Sequence, residues 1–225
     1  MSNAWQPPRL QFADGSDFAV RHVWCVGRNY AAHAREMGVD PDRQPPTFFS
    51  KPAMTMHQQQ HIVLPADCGR LEHEVELVVL LGAGGRHLGP IQWMDRIAGY
   101  AVGVDLTRRD LQQRLKADGL PWELSKGFDA SAPVGELLPA GEWTPSDDCR
   151  IRLAVNGQWR QDDHLGAMIW SVGELLARLS AELTLHPGDA VFTGTPAGVG
   201  PLAFGDHVQA LIDGLPALDF RVSAQ

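Results

Sequence analysis

Cysteine is scarce in this chain: Cys25, Cys68 and Cys149 are its three, and no two form a Cys-x-x-Cys pair. Any pairing leaves one unmatched, which reads as the reduced thiols of a cytoplasmic protein and not as a disulfide frame. Cys25 lies inside the apolar run Val23–Val26 and is expected to pack in the core. No stretch reaches the roughly 20 apolar residues of a membrane span, and the polar N-terminus has no apolar signal core. Positive charge is also short, with 19 Lys and Arg against 27 Asp and Glu and a formal net charge of −8. That balance excludes a general nucleic-acid surface, and any anion site must be built from a few local cations. Internal repeats and low-complexity tracts are missing. So are the GxSxG of a serine-hydrolase elbow and the GK[ST] ending of a phosphate loop.

Glycine and proline are abundant, at 23 and 16 of 225 residues, favouring turns and short strands over long helices. With 44% apolar and 20% charged residues the composition is that of a soluble globular protein, and the length suits one domain over residues 1–225. His22–Val26 reads as a short buried strand, followed by the loop Gly27-Arg28-Asn29. Asn29 is placed to cap a short helix over Tyr30–Met37, with Gly38 ending it. The segment Asp40–Gln60 carries Pro41, Pro45, Pro46 and Pro52, and is expected to be extended or looped and largely on the surface. Leu71–Leu81 is the clearest strand and Ile97–Val104 a second. Thr107 with Asp110 resembles a capping box for a helix through about Lys116. In the C-terminal half, Asn156-Gly157 signals a hairpin, and Ser171 with Glu174 a capping box for a helix to about Ser180. Pro187-Gly188 and Asp213-Gly214 mark further turns. Strands outnumber helices without alternating with them. This argues against a doubly wound sheet and for an α+β fold, a β-rich roll or sandwich with a few short helices.

The chemistry concentrates around Leu71-Glu72-His73-Glu74-Val75-Glu76-Leu77. In a strand Glu74 and Glu76 share a face, about 7 Å apart at the backbone. Two carboxylates beside an apolar run need a cation or hydrogen bonds if buried; an exposed strand end is the equal alternative on this segment alone. Asp105 follows a second apolar strand, and three oxygen ligands without Cys suit Mg²⁺, Mn²⁺ or Ca²⁺. The zinc pattern HExxH fails because Leu77 stands at its last position. His57 and His61 have helical ligand spacing but flank a glutamine run, and read as surface residues. His33 and Glu36 share a helix face, where a carboxylate can fix the imidazole tautomer and leave the other nitrogen to take a proton; a solvent-exposed pair is the commoner case at this spacing. Arg28, in its glycine-flanked loop, can dock a carboxylate. Arg109 and Gln112 point toward one pocket or into solvent together. Lys126, next to Gly127, is the stronger lysine candidate and Lys51 the weaker. The glycine run Gly194–Gly200 contains Thr195; Pro201 tells against a dinucleotide fingerprint, and a loop approaching substrate is the better reading.

Together these segments resemble the fumarylacetoacetate hydrolase family, in its short acylpyruvate-hydrolase branch. The matching stretches are VGRNYAAH (26–33), FFSKP (48–52), LEHEVELVVLLG (71–82), GYAVGVDLTRRDLQ (99–112), PWELSKGFDASAPVG (121–135), VNGQWRQ (155–161) and PGDAVFTGTPAGVG (187–200). The resemblance implies a β-rich mixed fold, a homodimer and Mg²⁺ or Mn²⁺, with Ca²⁺ as a crystallographic substitute. It places metal carboxylates on Glu74, Glu76 and Asp105, and a water-activating pair on His33 and Glu36. The catalytic lysine falls on Lys126, and substrate contacts on Arg28, Arg109, Gln112 and Thr195. Asp162-Asp163-His164-Leu165-Gly166 departs from the Gly/Thr/Ser-containing stretch of the family. The implied reaction is hydrolysis of a C–C bond in an acylpyruvate-type 2-oxo acid, such as fumarylpyruvate or acetylpyruvate. Oxaloacetate decarboxylation, keto–enol tautomerisation and isomerisation of unsaturated 2-oxo diacids use the same enolate and stand as alternatives.

Overall fold

A computed structural model describes residues 6–36, 45–65 and 67–225. Two sheets carry the α+β fold. Across the larger, the strands run Leu138–Pro139, Ile97–Val104, Val75–Leu81, Asp189–Phe192, His22–Gly27 and Thr47–Lys51. Across the second they run Gln158–His164, Arg150–Val155, His207–Ile212, Leu218–Ala224 and His61–Leu64. Within these two sheets neighbours are antiparallel except Asp189–Phe192 beside His22–Gly27 and Leu218–Ala224 beside His61–Leu64.

Every residue of Val75–Leu81 is buried. Val75, Leu77, Val79 and Leu81 pack in one core with Ile151, Leu153, Val208 and Phe220 of the second sheet. Val78 and Leu80 point to the opposite face, where Phe12, Phe18, Met56 and Leu137 cover them. A strand covered on both faces needs apolar residues throughout, which explains the unbroken run. Each such side chain contributes roughly 1.5–3 kcal/mol by leaving water. Glu76 shares the face of Val78 and Leu80, so the packing that buries the strand also buries this carboxylate.

Several local expectations hold. Asn156 and Gly157 lie at φ 51° and 77°, the two positive values that a two-residue hairpin turn requires. Ser171 caps the helix Val172–Glu182, with Glu174 completing the box. Cys25 is fully buried, and all three cysteines are free thiols. No helix among the described residues is long and apolar enough to cross a membrane.

Other expectations give way, always to a long-range contact. The strand foreseen over Leu71–Leu81 is split: Leu71–His73 joins a small sheet with Thr107–Arg108 and Gly200–Leu202, and Val75–Leu81 enters the large one. Glu74 sits at the break, where the Val75 amide donates to Gln161 Oε1 at 3.1 Å. Asn29 does not act as the cap of helix Ala31–Glu36. Its amide donates to Trp170 O and Thr193 O at 2.9 and 2.8 Å, and its oxygen accepts from Trp170 N at 2.8 Å. Met37 and Gly38, where that helix was to end, lie outside the described residues. Thr107 does not cap Arg109–Ala117 either, since its buried hydroxyl turns to Glu74. Of the segment expected at the surface, residues 40–44 lie outside the described residues, while Thr47–Lys51 forms a strand and Lys51 is fully buried. His57 is half-buried against Ala130 O at 3.2 Å, whereas His61 is exposed as expected.

Candidate active site

The strand break and the end of Ile97–Val104 bring three carboxylates together. Glu74, Glu76 and Asp105 are all buried, and each offers one oxygen within 4.8 Å of the others. Asp105 N donates to Glu74 O at 2.8 Å, which fixes the two segments to each other.

Cations surround this cluster unevenly. Lys126 Nζ bridges Glu74 Oε2 and Asp105 Oδ2 at 2.8 and 2.6 Å. Lys51 Nζ lies 2.7 Å from Asp105 Oδ1 and also donates to Leu106 O, Ser131 O and Lys126 O. Arg109 donates from Nε to Glu72 Oε2 at 2.5 Å, from Nη2 to Glu74 Oε1, and from Nη1 to Gln112 Oε1 at 2.6 Å. Thr107 Oγ1 donates to Glu74 Oε1 at 3.3 Å. Glu76 has no cation of its own among the described residues; it accepts from the Gly194 amide at 2.6 Å. Gly194 lies at φ 99°, and a side chain there would run into Asn29, so the close approach depends on glycine.

The protonation equilibria follow this asymmetry. Burial opposes the Glu74 charge, yet Lys126 and Arg109 outweigh it and hold its carboxyl far below the usual range. Burial, then the neighbouring Asp105 and Glu74, push the Glu76 carboxyl well above its ordinary value. Lys126 gains more from Asp105 and Glu74 than it loses by burial, so its ammonium is held charged. Three clustered oxygen donors, one of them lacking a compensating positive charge, form a donor set that fits a hard divalent cation.

A cavity of about 160 Å³ opens onto the cluster. Its walls include Glu74, Glu76, Arg109, Gln112, Lys126, Arg28, His33 and Thr195. Of the ten expected site residues these eight line the cavity; Asp105 and Glu36 do not, Asp105 being bonded to Lys126 and Glu36 standing beside His33. His33 is 7% exposed, and its Nδ1 stands 3.5 Å from Glu36 Oε2. Glu36 also accepts from the Gly198 amide at 3.1 and 3.2 Å, so the glycine run anchors the pair.

The fumarylacetoacetate (FAA) hydrolase C-terminal family matches residues 22–223, nearly the whole chain. The chain belongs to the fumarylacetoacetate hydrolase family. Two curated relatives are oxaloacetate tautomerases. The Escherichia coli K12 protein is 42% identical over 88% of this chain and 91% of its own length. The mitochondrial mouse protein is 39% identical over 90% and 91%. Among solved structures, the fumarylpyruvate hydrolase of Pseudomonas aeruginosa, in complex with Mn²⁺ and pyruvate, superposes with a TM-score of 0.96. It shares 44% identity, covering 100% of this chain and 99% of that one.

Three residues of this fumarylacetoacetate hydrolase family site escaped the sequence reading or were undervalued by it. Lys51, read as the weaker lysine candidate although it lies in the matching stretch FFSKP, ends the strand Thr47–Lys51. Thr107 looked like a local cap. Gln161 is fully buried; its Oε1 accepts from Val75 N at 3.1 Å and lies 2.9 Å from His73 Nδ1. Its Nε2 donates to Thr195 Oγ1 at 2.8 Å and Pro196 O at 2.9 Å. One glutamine thus joins the strand break at Glu74 to the Thr195 loop. Because Oε1 only accepts, His73 must donate from Nδ1.

Proposed function

We propose that this protein is a divalent-metal-dependent hydrolase that cleaves a C–C bond of an acylpyruvate-type 2-oxo acid, with fumarylpyruvate as the first candidate. The observation that carries this reading is the pairing, in one cavity, of the carboxylate cluster with a buried imidazole held by a carboxylate. Whole-chain likeness to the Pseudomonas aeruginosa hydrolase supports it. The family resemblance supports Mg²⁺ or Mn²⁺ as the ion and a homodimer as the assembly.

Glu74, Glu76 and Asp105 would hold the cation, which when bound supplies Lewis acidity for the negative charge that develops on the pyruvate fragment. Arg28, Arg109, Gln112 and Thr195 line the cavity with donors for the carboxylate and oxo groups of the substrate. His33, oriented by Glu36, takes a proton from water, and the water oxygen attacks the distal carbonyl carbon. Lys126, held charged by its neighbours, offsets charge developing beside it. The bond between that carbonyl carbon and the adjacent methylene then breaks, its electron pair staying with the pyruvate fragment. Return of the proton from His33 completes pyruvate and frees a carboxylic acid.

A second reading is keto–enol tautomerisation of oxaloacetate, favoured by the two curated relatives. It needs the same anchoring of a 2-oxo acid and a proton shuttle, but no water attack. Release of pyruvate from fumarylpyruvate at fixed Mn²⁺, measured beside the ultraviolet decay of oxaloacetate enol, tests both. Pyruvate release supports the hydrolase; rapid enol decay with no pyruvate from any acylpyruvate moves the assignment to the tautomerase.

A further inference from the structure

The cavity has a second pole, of which the chemistry above uses Arg28 alone. Phe49 and Trp122 line it and meet edge to face, with ring centroids 5.0 Å apart. A cation stands at each end of this aromatic pair. Lys126 Nζ lies 5.2 Å from the Phe49 ring centre, and Lys116 Nζ 5.1 Å from that of Trp122. The first cation is bound into the carboxylate cluster. The second lines the same cavity together with Arg28, and among the described residues no carboxylate forms an ion pair with either.

An exposed lysine lying on a tryptophan often does no more than cover the ring. Two observations set Lys116 apart. Its ammonium is pushed below the usual range by burial and then by Arg28, Arg109 and Lys126; Glu74 opposes this, but it is already paired with Arg109 and Lys126, which leaves Lys116 and Arg28 beside each other. Arg28, moreover, lies at φ 64°, in the left-handed region that non-glycine residues adopt at a cost, which fixes where its guanidinium starts.

We infer that Lys116 and Arg28, set against Trp122, form a second anion subsite that takes a carboxylate at the far end of the substrate. A 2-oxo acid whose oxo-acid end meets Lys126 and Arg109 would lie along the Phe49–Trp122 wall and end at Lys116. The subsite therefore selects dicarboxylic over monocarboxylic 2-oxo acids, and Lys116 is a specificity-determining residue. This rests on the 2-oxo acid reading of the site, and does not depend on which reaction follows.

Calorimetry on the Mn²⁺-loaded protein tests it with a matched pair, 2-oxoadipate and 2-oxohexanoate, which differ by the far carboxylate. The wild type is expected to bind 2-oxoadipate at least about tenfold more tightly, the scale of one charge-assisted contact. Lys116→Met, which keeps the stem on Trp122, should remove most of that preference, and Lys116→Arg should keep it. No preference in the wild type, or an unchanged preference in Lys116→Met, overturns the subsite. Pyruvate release from fumarylpyruvate and acetylpyruvate by the same proteins separates the two proposals. A Lys116-dependent binding preference with no pyruvate from either compound sinks the hydrolase and leaves the subsite. Pyruvate release whose substrate ratio ignores Lys116→Met does the reverse.

Discussion

On one side of the cavity, Glu74, Glu76 and Asp105 are tied to Lys51, Lys126, Arg109, Thr107 and the Gly194 amide, and all three are buried. On the other, His33 meets Glu36 at 3.5 Å, and Glu36 is 46% exposed, with the Gly198 amide as its other partner. The first side is made by strands of the large sheet and by what packs beneath them. The second hangs on the six-residue helix Ala31–Glu36 and one loop contact. Charges buried in a folded sheet must be matched before the protein folds, so the carboxylate side is inseparable from stability. The imidazole side can be altered with little cost to the fold. Substitutions on the two sides should separate accordingly.

The largest effect is expected beneath the carboxylates. Lys51→Met removes the ammonium from Asp105 Oδ1, leaves Lys126 alone to pair that carboxylate, and takes one donor each from the carbonyls of Leu106, Ser131 and Lys126. Breaking a buried pair in this way costs about 3–5 kcal/mol. Urea unfolding of the metal-free protein, followed by circular dichroism, measures it. A loss below about 1 kcal/mol would mean that water or Lys126 replaces the pairing, and the two sides would then be less different than their contacts imply.

His33→Ala is the counterpart across the cavity. Losing a positioned general base should lower kcat for acylpyruvate hydrolysis by about 10²–10⁴-fold, with Mn²⁺ affinity and unfolding midpoint little changed. Tautomerisation of oxaloacetate involves no water attack and should be affected less. Equal losses on both substrates would assign His33 to binding or to a shared proton transfer.

The same contrast explains what could be read from the sequence. Glu74, Glu76 and Asp105 stood out because each carboxylate adjoins an apolar run, and buried charge demands a partner wherever it falls. Arg109 and Gln112 were legible from helical spacing, and they bond each other at 2.6 Å. The strand break was hidden because it depends on Gln161, 86 positions along the chain from Val75. Lys51 was hidden for a related reason: four prolines nearby argued for surface loop, while its burial is settled by carbonyls of Leu106, Lys126 and Ser131. Asn29 and Thr107 carried sound local capping patterns that tertiary hydrogen bonds displaced. Where pattern and partner were local, as in the Asn156-Gly157 turn and the Ser171 cap, the reading held.

A smaller effect, in pH dependence, belongs to Glu76. Its carboxyl is pushed well above the ordinary 4.5 by burial, Asp105 and Glu74. The metal-free fold therefore keeps a proton that the unfolded chain loses. That contribution to stability is complete below the ordinary value and disappears as pH rises through the raised one. A cation requires the carboxylate, so binding should release this proton, and affinity should rise by at most about tenfold per pH unit. Calorimetry of Mn²⁺ binding in two buffers of different ionisation enthalpy counts the protons. Affinity that is flat with pH would place the charge deficit elsewhere in the cluster.

Glu36→Gln should give the smallest change in stability and is the sharpest test of the contrast between the two sides. The pair it breaks is long and the glutamate is nearly half exposed, so solvent already screens most of the attraction. Stability should change by less than about 1 kcal/mol. The effect on rate should be larger than that, because glutamine keeps the shape but presents a weaker acceptor to His33, and the imidazole loses the partner that fixes its tautomer and orientation. Activity on an acylpyruvate should fall by about tenfold or more, carried by kcat and not by KM, since an imidazole free to turn is less often poised as the base. Separate kcat and KM values for wild type and variant, with thermal unfolding of both, read this directly. A rise in KM with kcat unchanged would mean that Glu36 acts through Gly198 and the loop carrying Thr195. A variant that unfolds several degrees earlier would show that the imidazole side is built into the fold as firmly as the carboxylates are.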